Sequence, residues 1–186
     1  MSSPSTPPEL LYQVRVSLRG FDPPIWRRVL VPSDVSLHKL HAVLQAAMGW
    51  EDYHLYRFEV GDTEYGESAG GELGFRSAGR AKLGGIAEAG DSFLYEYDFG
   101  DGWLHDLVIE AEVGPEPEQR YPACVDGARA CPPEDCGGVP GYEELLQVLA
   151  DPDHGDYEDM FAWVGDGFDP EKFDLAAANK RLGRIR

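Results

Sequence analysis

The chain has 186 residues, of which 42% are hydrophobic and 11% aromatic, so it is long enough for one domain with its own core. Its formal net charge of −18 argues against a nucleic-acid-binding protein, because binding to phosphate backbones depends on Lys and Arg. No run approaches the ~20 apolar residues of a membrane span, no signal peptide is recognisable, and three cysteines do not suggest a secreted disulfide scaffold, so we expect a cytoplasmic protein.

The N-terminal part of the chain predicts an arm followed by a pair of strands. Residues 1–9 are rich in Ser and Pro, which predicts a disordered arm before a single α+β domain at 10–186. Apolar and polar residues alternate over 12–19, as they do in a half-buried strand. A turn rich in Gly and Pro leads to a second predicted strand at 25–31, so the domain opens with a hairpin or a meander.

The segment Leu37–Met48 has the clearest helical pattern in the sequence. Its apolar residues recur at helical spacing, Ser36 precedes them as a predicted N-cap, and Gly49 follows just past the predicted end. His41 lies within the apolar stripe, whereas His38 lies outside it. We therefore expect the side chain of His41 to face the sheet.

The middle of the chain predicts three strands and a loop. His54–Val60 predicts a strand with His54 on the same face as Tyr and Phe, and residues 66–90, rich in Gly, Ala and Ser, predict a flexible surface loop. Two further strands are predicted at 93–99 and 103–112. Asp101-Gly102 between them is typical of a two-residue hairpin turn.

The C-terminal part predicts a long loop followed by helices. Residues 114–140 contain six prolines and all three cysteines, which indicates a functional or metal-ordered loop. Three short helices are predicted within 141–183. Together the elements predict an α+β fold, in which an antiparallel sheet of about five strands has one helix after the second strand and a C-terminal group of short helices.

Histidine and aspartate residues form the first candidate site. A two-residue turn pairs Asp98 with His105, with Cβ atoms ~5 Å apart, so we expect the carboxylate to orient the imidazole and raise its pKa. Two other histidines also lie among apolar residues. The resulting candidate cluster for acid–base chemistry or metal binding is His41, His54, Asp98, Asp101 and His105. The alternative is that each histidine is a core residue hydrogen-bonded to the backbone.

The cysteines form a second candidate site. Cys124, Cys131 and Cys136 lie in the Pro-rich loop and, with His105 as a fourth ligand, match the ligand types of a structural zinc site. Because the spacing contains no CxxC pair, buried apolar cysteines and a disulfide between Cys131 and Cys136 stay open as alternatives. A catalytic thiol at Cys136 with His105 as its base is a further alternative.

Charge is distributed unevenly along the sequence. The segment Glu134–Asp174 has thirteen acidic residues and one basic residue, Lys172, which indicates either a solvated face or a surface for a basic or cationic partner. Basic residues are more frequent on the first two predicted strands. A nucleic-acid surface on those strands would use Arg15, Arg19, Arg27 and Arg28.

Several longer strings together resemble one known family. They are Ile25-Trp-Arg-Arg, Leu40-His41 through Met48-Gly-Trp50, His54-Leu-Tyr56, Tyr97-Asp-Phe-Gly-Asp-Gly-Trp103 with His105, Cys131-Pro-Pro-Glu-Asp-Cys-Gly-Gly138-x-x-Gly-Tyr142, and Phe173-Asp-x-x-x-x-Asn179. In this order, from about Leu11 to Leu182, they resemble the plasmid pRiA4b ORF-3-like family. The resemblance implies a link to plasmids and to insertion sequences, where relatives occur as passenger proteins, and it implies no particular reaction.

Three functions stay open from the sequence. The lack of a strong catalytic motif and the acidic C-terminal segment favour a non-catalytic binding or interaction protein, with a protein or small molecule as its partner. The family resemblance implies that this protein is linked to mobile elements. The His/Asp cluster favours a metal-binding protein or a metal-dependent hydrolase, with zinc as the metal considered. The arginines favour a nucleic-acid accessory protein, against which the net charge argues.

Overall fold

A computed structural model of the protein describes residues 9–67 and 74–185 and contains one sheet and four helices within those ranges. The strands are β1 (Leu11–Leu18), β2 (Ile25–Pro32), β3 (Tyr56–Val60), β4 (Thr63–Gly66), β5 (Arg76–Ser77), β6 (Ser92–Tyr97), β7 (Trp103–Val113) and β8 (Ala123–Ala128). The helices are α1 (Leu37–Met48), α2 (Gly138–Ala150), α3 (Tyr157–Val164) and α4 (Leu175–Leu182).

The eight strands form a single mixed sheet in the order β5-β4-β3-β6-β7-β1-β2-β8. All neighbouring strands are antiparallel except β4 and β5, which are parallel. The prediction of an antiparallel sheet of about five strands with one helix after the second strand was therefore wrong. The sheet has more strands than predicted. It is mixed because the short strands β4 and β5 at one edge pair in parallel.

The three strands beyond five are the four-residue β4 and the two edge strands, β5 and β8. β5 has two residues and lies within the predicted loop 66–90, and β8 lies within the predicted loop 114–140. The β8 sequence contains Asp126 and Gly127 and has no alternating pattern. It is held instead by β2 and by Asn179, whose side chain accepts a hydrogen bond from the Cys124 N–H at 2.9 Å and donates one to the Cys124 carbonyl at 2.8 Å.

Helix α1 provides the apolar cover of the sheet. Its bounds are those that the sequence predicts, because Ser36 Oγ accepts a hydrogen bond from the Lys39 N–H at 3.2 Å and Gly49 ends the helix with a φ of +105°. Its apolar stripe shares one core with the buried side chains of β1, β2, β6 and β7. Arg181 of α4 donates a hydrogen bond to the Ala46 carbonyl at 2.7 Å, which joins the last helix to α1.

Two parts of the sequence-based prediction fall outside the described ranges. These parts are residues 1–8 of the predicted arm and residues 68–73 of the predicted loop 66–90. Of the helices in 9–67 and 74–185, none is long and apolar enough to cross a lipid bilayer.

Candidate metal centre

The turn between β6 and β7 is longer than the sequence predicts. Tyr95, and not Asp98, pairs with His105, and residues 98–102 form the turn. The predicted two-residue turn, and with it the pairing of Asp98 with His105, was therefore wrong. As a result the Asp98 carboxylate does not orient His105.

The local conformation of Asp98 explains the longer turn. Its backbone is in the left-handed region with a φ of +54°, and its Oδ1 accepts a hydrogen bond from the Gly100 N–H at 2.9 Å. The Asp98 N–H donates to the Leu55 carbonyl at 2.9 Å. An aspartate that bonds to the backbone two residues ahead stabilises a turn, so the chain leaves β6 at this residue.

Three side chains from separate segments meet beside this turn. His54 Nε2 lies 2.8 Å from Asp135 Oδ1 and 3.6 Å from Asp98 Oδ2. One ligand atom from each residue lies within 4.8 Å of the others, and no other such group of His, Cys, Asp or Glu residues occurs in 9–67 and 74–185. Asp98 is buried, His54 is partly exposed and Asp135 is exposed, so the group opens to solvent on one side.

Tyr97 holds the segment that presents His54. The Tyr53 N–H donates to the Tyr97 hydroxyl at 3.0 Å, and the His54 ring packs edge-on against the Tyr97 ring with centroids 6.0 Å apart. Burial, followed by the hydrogen bond to Glu134, raises the pKa of Tyr97, so the phenol remains protonated and donates to the Glu134 carboxylate at 3.0 Å.

The segment Cys131–Cys136 presents Asp135. The Trp50 Nε1–H donates to the Pro132 carbonyl at 2.9 Å. The Glu134 carboxylate accepts hydrogen bonds from the Tyr97 hydroxyl at 3.0 Å and from the Glu51 N–H at 2.9 Å. These contacts attach the segment, on both sides of Pro133, to the residues after α1 and to β6, and Asp135 follows with a φ of +56°.

The geometry and charge of the group suit a cation. Zn–N and Zn–O bonds of about 2.0–2.2 Å in a tetrahedron separate ligand atoms by roughly 3.3–3.5 Å, and the observed separations fall on both sides of this value. Within the described part of the chain, neither Asp98 nor Asp135 forms an ion pair with Lys or Arg. Of the ion-pair partners within the described residues, only the His54 ring lies beside these two carboxylates.

His41 belongs to a different, buried arrangement. Its Nδ1 lies 2.8 Å from the Tyr95 hydroxyl, its Nε2 lies 2.8 Å from Asp52 Oδ1, and its ring stacks on Tyr56 with centroids 3.6 Å apart. Burial lowers the pKa of His41 and outweighs the attraction of the Asp52 carboxylate. The structure therefore does not bring His41 to the group around His54.

His105 is also a core residue. It is fully buried, and its Nδ1 faces the Trp103 carbonyl at 3.0 Å and the Tyr95 carbonyl at 3.4 Å. Burial lowers its pKa to about 4, which is the opposite of the rise that pairing with Asp98 was expected to cause. His105 is thus neutral near pH 7 and is fixed by backbone carbonyls.

The remaining candidates are not members of the group formed by His54, Asp98 and Asp135. Asp101 Oδ2 accepts a hydrogen bond from the Gly137 N–H at 3.1 Å and so joins the turn to the start of α2. Cys124, Cys131 and Cys136 are free thiols, and with His105 they form no ligand group among the residues that the structure describes. Burial raises the pKa of Cys136 to about 12, which leaves it protonated and a poor nucleophile near pH 7.

Most of the arginines of the first two strands already have partners. Arg19 forms a two-point ion pair with Asp106, and Arg28 forms one with Glu110. Arg27 is buried, and its guanidinium lies over the Phe173 ring at 4.0 Å from the centroid. Arg15 lies over the Trp26 ring at 4.6 Å. Carboxylates and aromatic rings thus already contact the guanidinium groups on which a phosphate-binding surface would depend.

Sequence reasoning missed Asp135 and Glu134. Both lie in the string Cys131-Pro-Pro-Glu-Asp-Cys136, which carried part of the family resemblance but was examined for its thiols. The signal that could have indicated them is two adjacent acids in a Pro-rich loop long enough to return to the sheet. The string alone does not show that it reaches His54.

Comparisons with known proteins agree with the resemblance seen in the sequence. Residues 10–177 match the family described as plasmid pRiA4b ORF-3-like protein. The chain is 39% identical over 172 residues to "Uncharacterized protein y4hQ" of Sinorhizobium fredii, covering 90% of this chain and 85% of that protein. It is also similar, with a TM-score of 0.85 and 41% identity, to the crystal structure of a protein of unknown function, MM3350, from Methanosarcina mazei Go1, covering 91% of this chain and 98% of that chain.

Proposed function

The chain belongs to the plasmid pRiA4b ORF-3-like protein family, and we propose that it binds a divalent cation through His54, Asp98 and Asp135. The observation that carries the proposal is the convergence of one imidazole and two carboxylates from three separate segments of the chain. A bound cation links the segment before β3, the β6–β7 turn and the segment before α2. It therefore replaces repulsion between two carboxylates with three favourable contacts.

The ligand types favour a first-row transition metal. Imidazole suits Zn²⁺, and carboxylates suit both Zn²⁺ and Mn²⁺, so a site with one nitrogen and two oxygens fits Zn²⁺ with Mn²⁺ as its competitor. Three protein ligands leave a coordination position for water, which is the arrangement of hydrolytic zinc sites. A hydrolase is therefore the natural extension of the proposal, and metal binding is the step to test first.

The backbone around the ligands supports a preorganised site. Asp98 and Asp135 both have positive φ, a region that costs L-residues about 1 kcal/mol and that aspartate tolerates better than most. Unfavourable backbone geometry that surrounding contacts maintain is concentrated at functional sites. In this protein, contacts of Gly100, Pro132 and Glu134 hold these two aspartates.

Isothermal titration of tag-free, chelator-treated protein with ZnCl₂, and separately with MnCl₂, tests the proposal. We expect one Zn²⁺ per chain. His54→Gln and Asp98→Asn should each weaken Zn²⁺ binding by at least about 100-fold, because even outer partners of metal ligands contribute roughly 10–100-fold. The asparagine retains an oxygen for the Gly100 N–H, so the turn is preserved.

The matched control is His154→Gln. His154 is an exposed histidine near a carboxylate, with Nδ1 3.8 Å from Asp156 Oδ2, and it lies outside the ligand group. This variant should bind Zn²⁺ as the natural protein does. The proposal is wrong if chelator-treated protein takes up no metal, or if His154→Gln weakens binding as much as His54→Gln does.

A further inference from the structure

Helix α3 leaves aromatic surface exposed. None of its residues is buried, and Trp163 in its last turn is 51% exposed. A tryptophan is an uncommon residue to leave half in solvent, because its large ring gains most from burial. The exposed side chain of Trp163 also lines two neighbouring clefts.

The first cleft lies between α3 and the segment that follows α1. It has a volume of about 410 Å³ and is lined by Trp50, Tyr53 and Phe168 together with Trp163. Its charged lining residues are Glu51 and Glu134. Hydrogen bonds from Tyr97 and from the backbone fix the Glu134 carboxylate, so a negative charge is held in place beside aromatic rings.

The second cleft lies between α2 and α3. It has a volume of about 390 Å³ and is lined by Leu145 and Met160 and again by Trp163. Its charged lining residues are Asp135, Glu144 and Asp159. The lining of this cleft thus combines apolar and acidic side chains.

The charges of the two clefts have the same sign. Among their lining residues, all within the described ranges, five are acidic and none is Lys, Arg or His. The surrounding segment 134–174 has thirteen acidic residues and one basic residue, so the field outside the clefts has the same sign. An occupant must therefore offer positive charge together with apolar surface.

We propose that the two clefts lined by Trp163 bind a basic segment of a partner protein. Lys or Arg side chains of this segment contact the acidic residues, and an apolar side chain packs on the indole ring. Aromatic rings beside carboxylates favour Lys and Arg through both cation–π and ionic contacts. Exposed tryptophans are also frequent energetic centres of protein interfaces. Two clefts sharing one side chain fit a chain of several residues better than a single small cation.

This inference goes beyond metal binding and does not depend on it. The cation site uses His54, Asp98 and Asp135, of which only Asp135 also lines a cleft. Binding assays in the presence of EDTA therefore test the clefts alone. A failure of peptide binding leaves the Zn²⁺ titration unaffected, and the reverse also holds.

The test uses two fluorescein-labelled, twelve-residue peptides and the full chain in EDTA. One peptide contains Lys, Arg and Leu, and the other has Glu in place of each Lys and Arg. Fluorescence anisotropy should show binding of the basic peptide only, weakening as salt is raised. Trp163→Ala should weaken this binding by about tenfold or more, as expected of a central interface tryptophan.

Two matched controls separate a specific cleft from general attraction. Phe161→Ala removes another exposed aromatic side chain of α3 that lines neither cleft. Glu158→Gln removes an acid of α3 outside the clefts, to be compared with Glu144→Gln inside one. We expect the two outside variants to bind within about twofold of the natural protein and Glu144→Gln to bind several-fold more weakly.

Each remaining outcome overturns the proposal. If the basic peptide does not bind, or if the acidic peptide binds equally, the clefts do not select a basic segment. If Phe161→Ala and Glu158→Gln weaken binding as much as Trp163→Ala and Glu144→Gln, the attraction is only that of an acidic surface. If spermidine displaces the peptide at concentrations near the peptide's own Kd, the occupant is a small organic cation instead.

Discussion

Three of the five histidines of this protein lie in two contrasting regions, the core side of the sheet and the loop edge beside the β6–β7 turn. In the core, His105 is bonded to backbone carbonyls and His41 lies between Tyr95 and Asp52. At the edge, His54 lies between two carboxylates from different segments and is open to solvent. The same side chain is thus enclosed by aromatic rings and backbone in one region and faces two carboxylates beside solvent in the other.

Substitutions in the two regions should therefore change different measured quantities. Core groups have lost their contact with water, so a change there alters the free energy of unfolding. Edge groups stay solvated and screened, so a change there alters binding more than stability. Substitutions in each region test this separation.

Tryptophan substitutions give the largest contrast between the regions. Trp103 is fully buried, so Trp103→Ala should lower the free energy of unfolding by about 3–5 kcal/mol through lost burial and a residual cavity. Trp163 is half exposed, and Trp163→Ala should lower it by about 1 kcal/mol or less. Urea unfolding followed by circular dichroism measures both, and equal losses would contradict the separation.

Acid should destabilise the protein through His105. Because burial holds its folded-state pKa at about 4, below the ordinary 6.5, the unfolded chain binds the proton more tightly. The contribution of His105 to the free energy of unfolding is fully present above pH 6.5. It decreases as the pH falls towards 4, by about 3 kcal/mol in total.

The His105→Gln variant isolates this contribution. Carboxylates titrate in both proteins, so the difference between their stability curves reports the histidine. Urea unfolding at several pH values from 7 to about 4 should show a steeper loss for the natural protein than for His105→Gln. Parallel curves for the two proteins would mean that His105 is not held neutral by burial.

Asp135→Asn should separate binding from stability at the loop edge. Without metal we expect its free energy of unfolding to lie within about 0.5 kcal/mol of the natural value, because the side chain is exposed. With Zn²⁺ at about 100 times its Kd, the natural protein should gain about 2.7 kcal/mol, which raises its Tm by roughly 5–10 °C. A variant that retains this Zn²⁺-induced shift in a thermal scan would exclude Asp135 as a ligand.

The smallest expected effect is that of an exposed ion pair on the outer face of the sheet. Arg19 and Asp106 are both 51% exposed, so a double-mutant cycle with alanine at each position should give a coupling of about 0.5 kcal/mol. The coupling should decrease in high salt. A coupling of several kcal/mol would show that charge contributes to stability outside the core as strongly as packing does inside it.

The sequence predicted local features well and pairing poorly. Helix α1 begins after Ser36 and ends before Gly49 as its pattern indicates, because capping and apolar spacing act within a few residues. The turn at Asp101-Gly102 follows the same local rules but was misjudged. A side-chain bond of Asp98 to the backbone competes with the tight turn, and the strand register decides between them.

By itself, then, the sequence determined the α1 bounds, the family and the types of side chain available for chemistry. Three features became visible only in the folded chain: two short segments are edge strands, His41 and His105 belong to the core, and Asp135 lies beside His54 and Asp98. The two kinds of feature differ because the interactions behind them act over different distances along the chain. Helix caps and periodicity depend on neighbours along the chain, whereas a shared site depends on where separate loops return to the sheet, and long-range contacts set those positions.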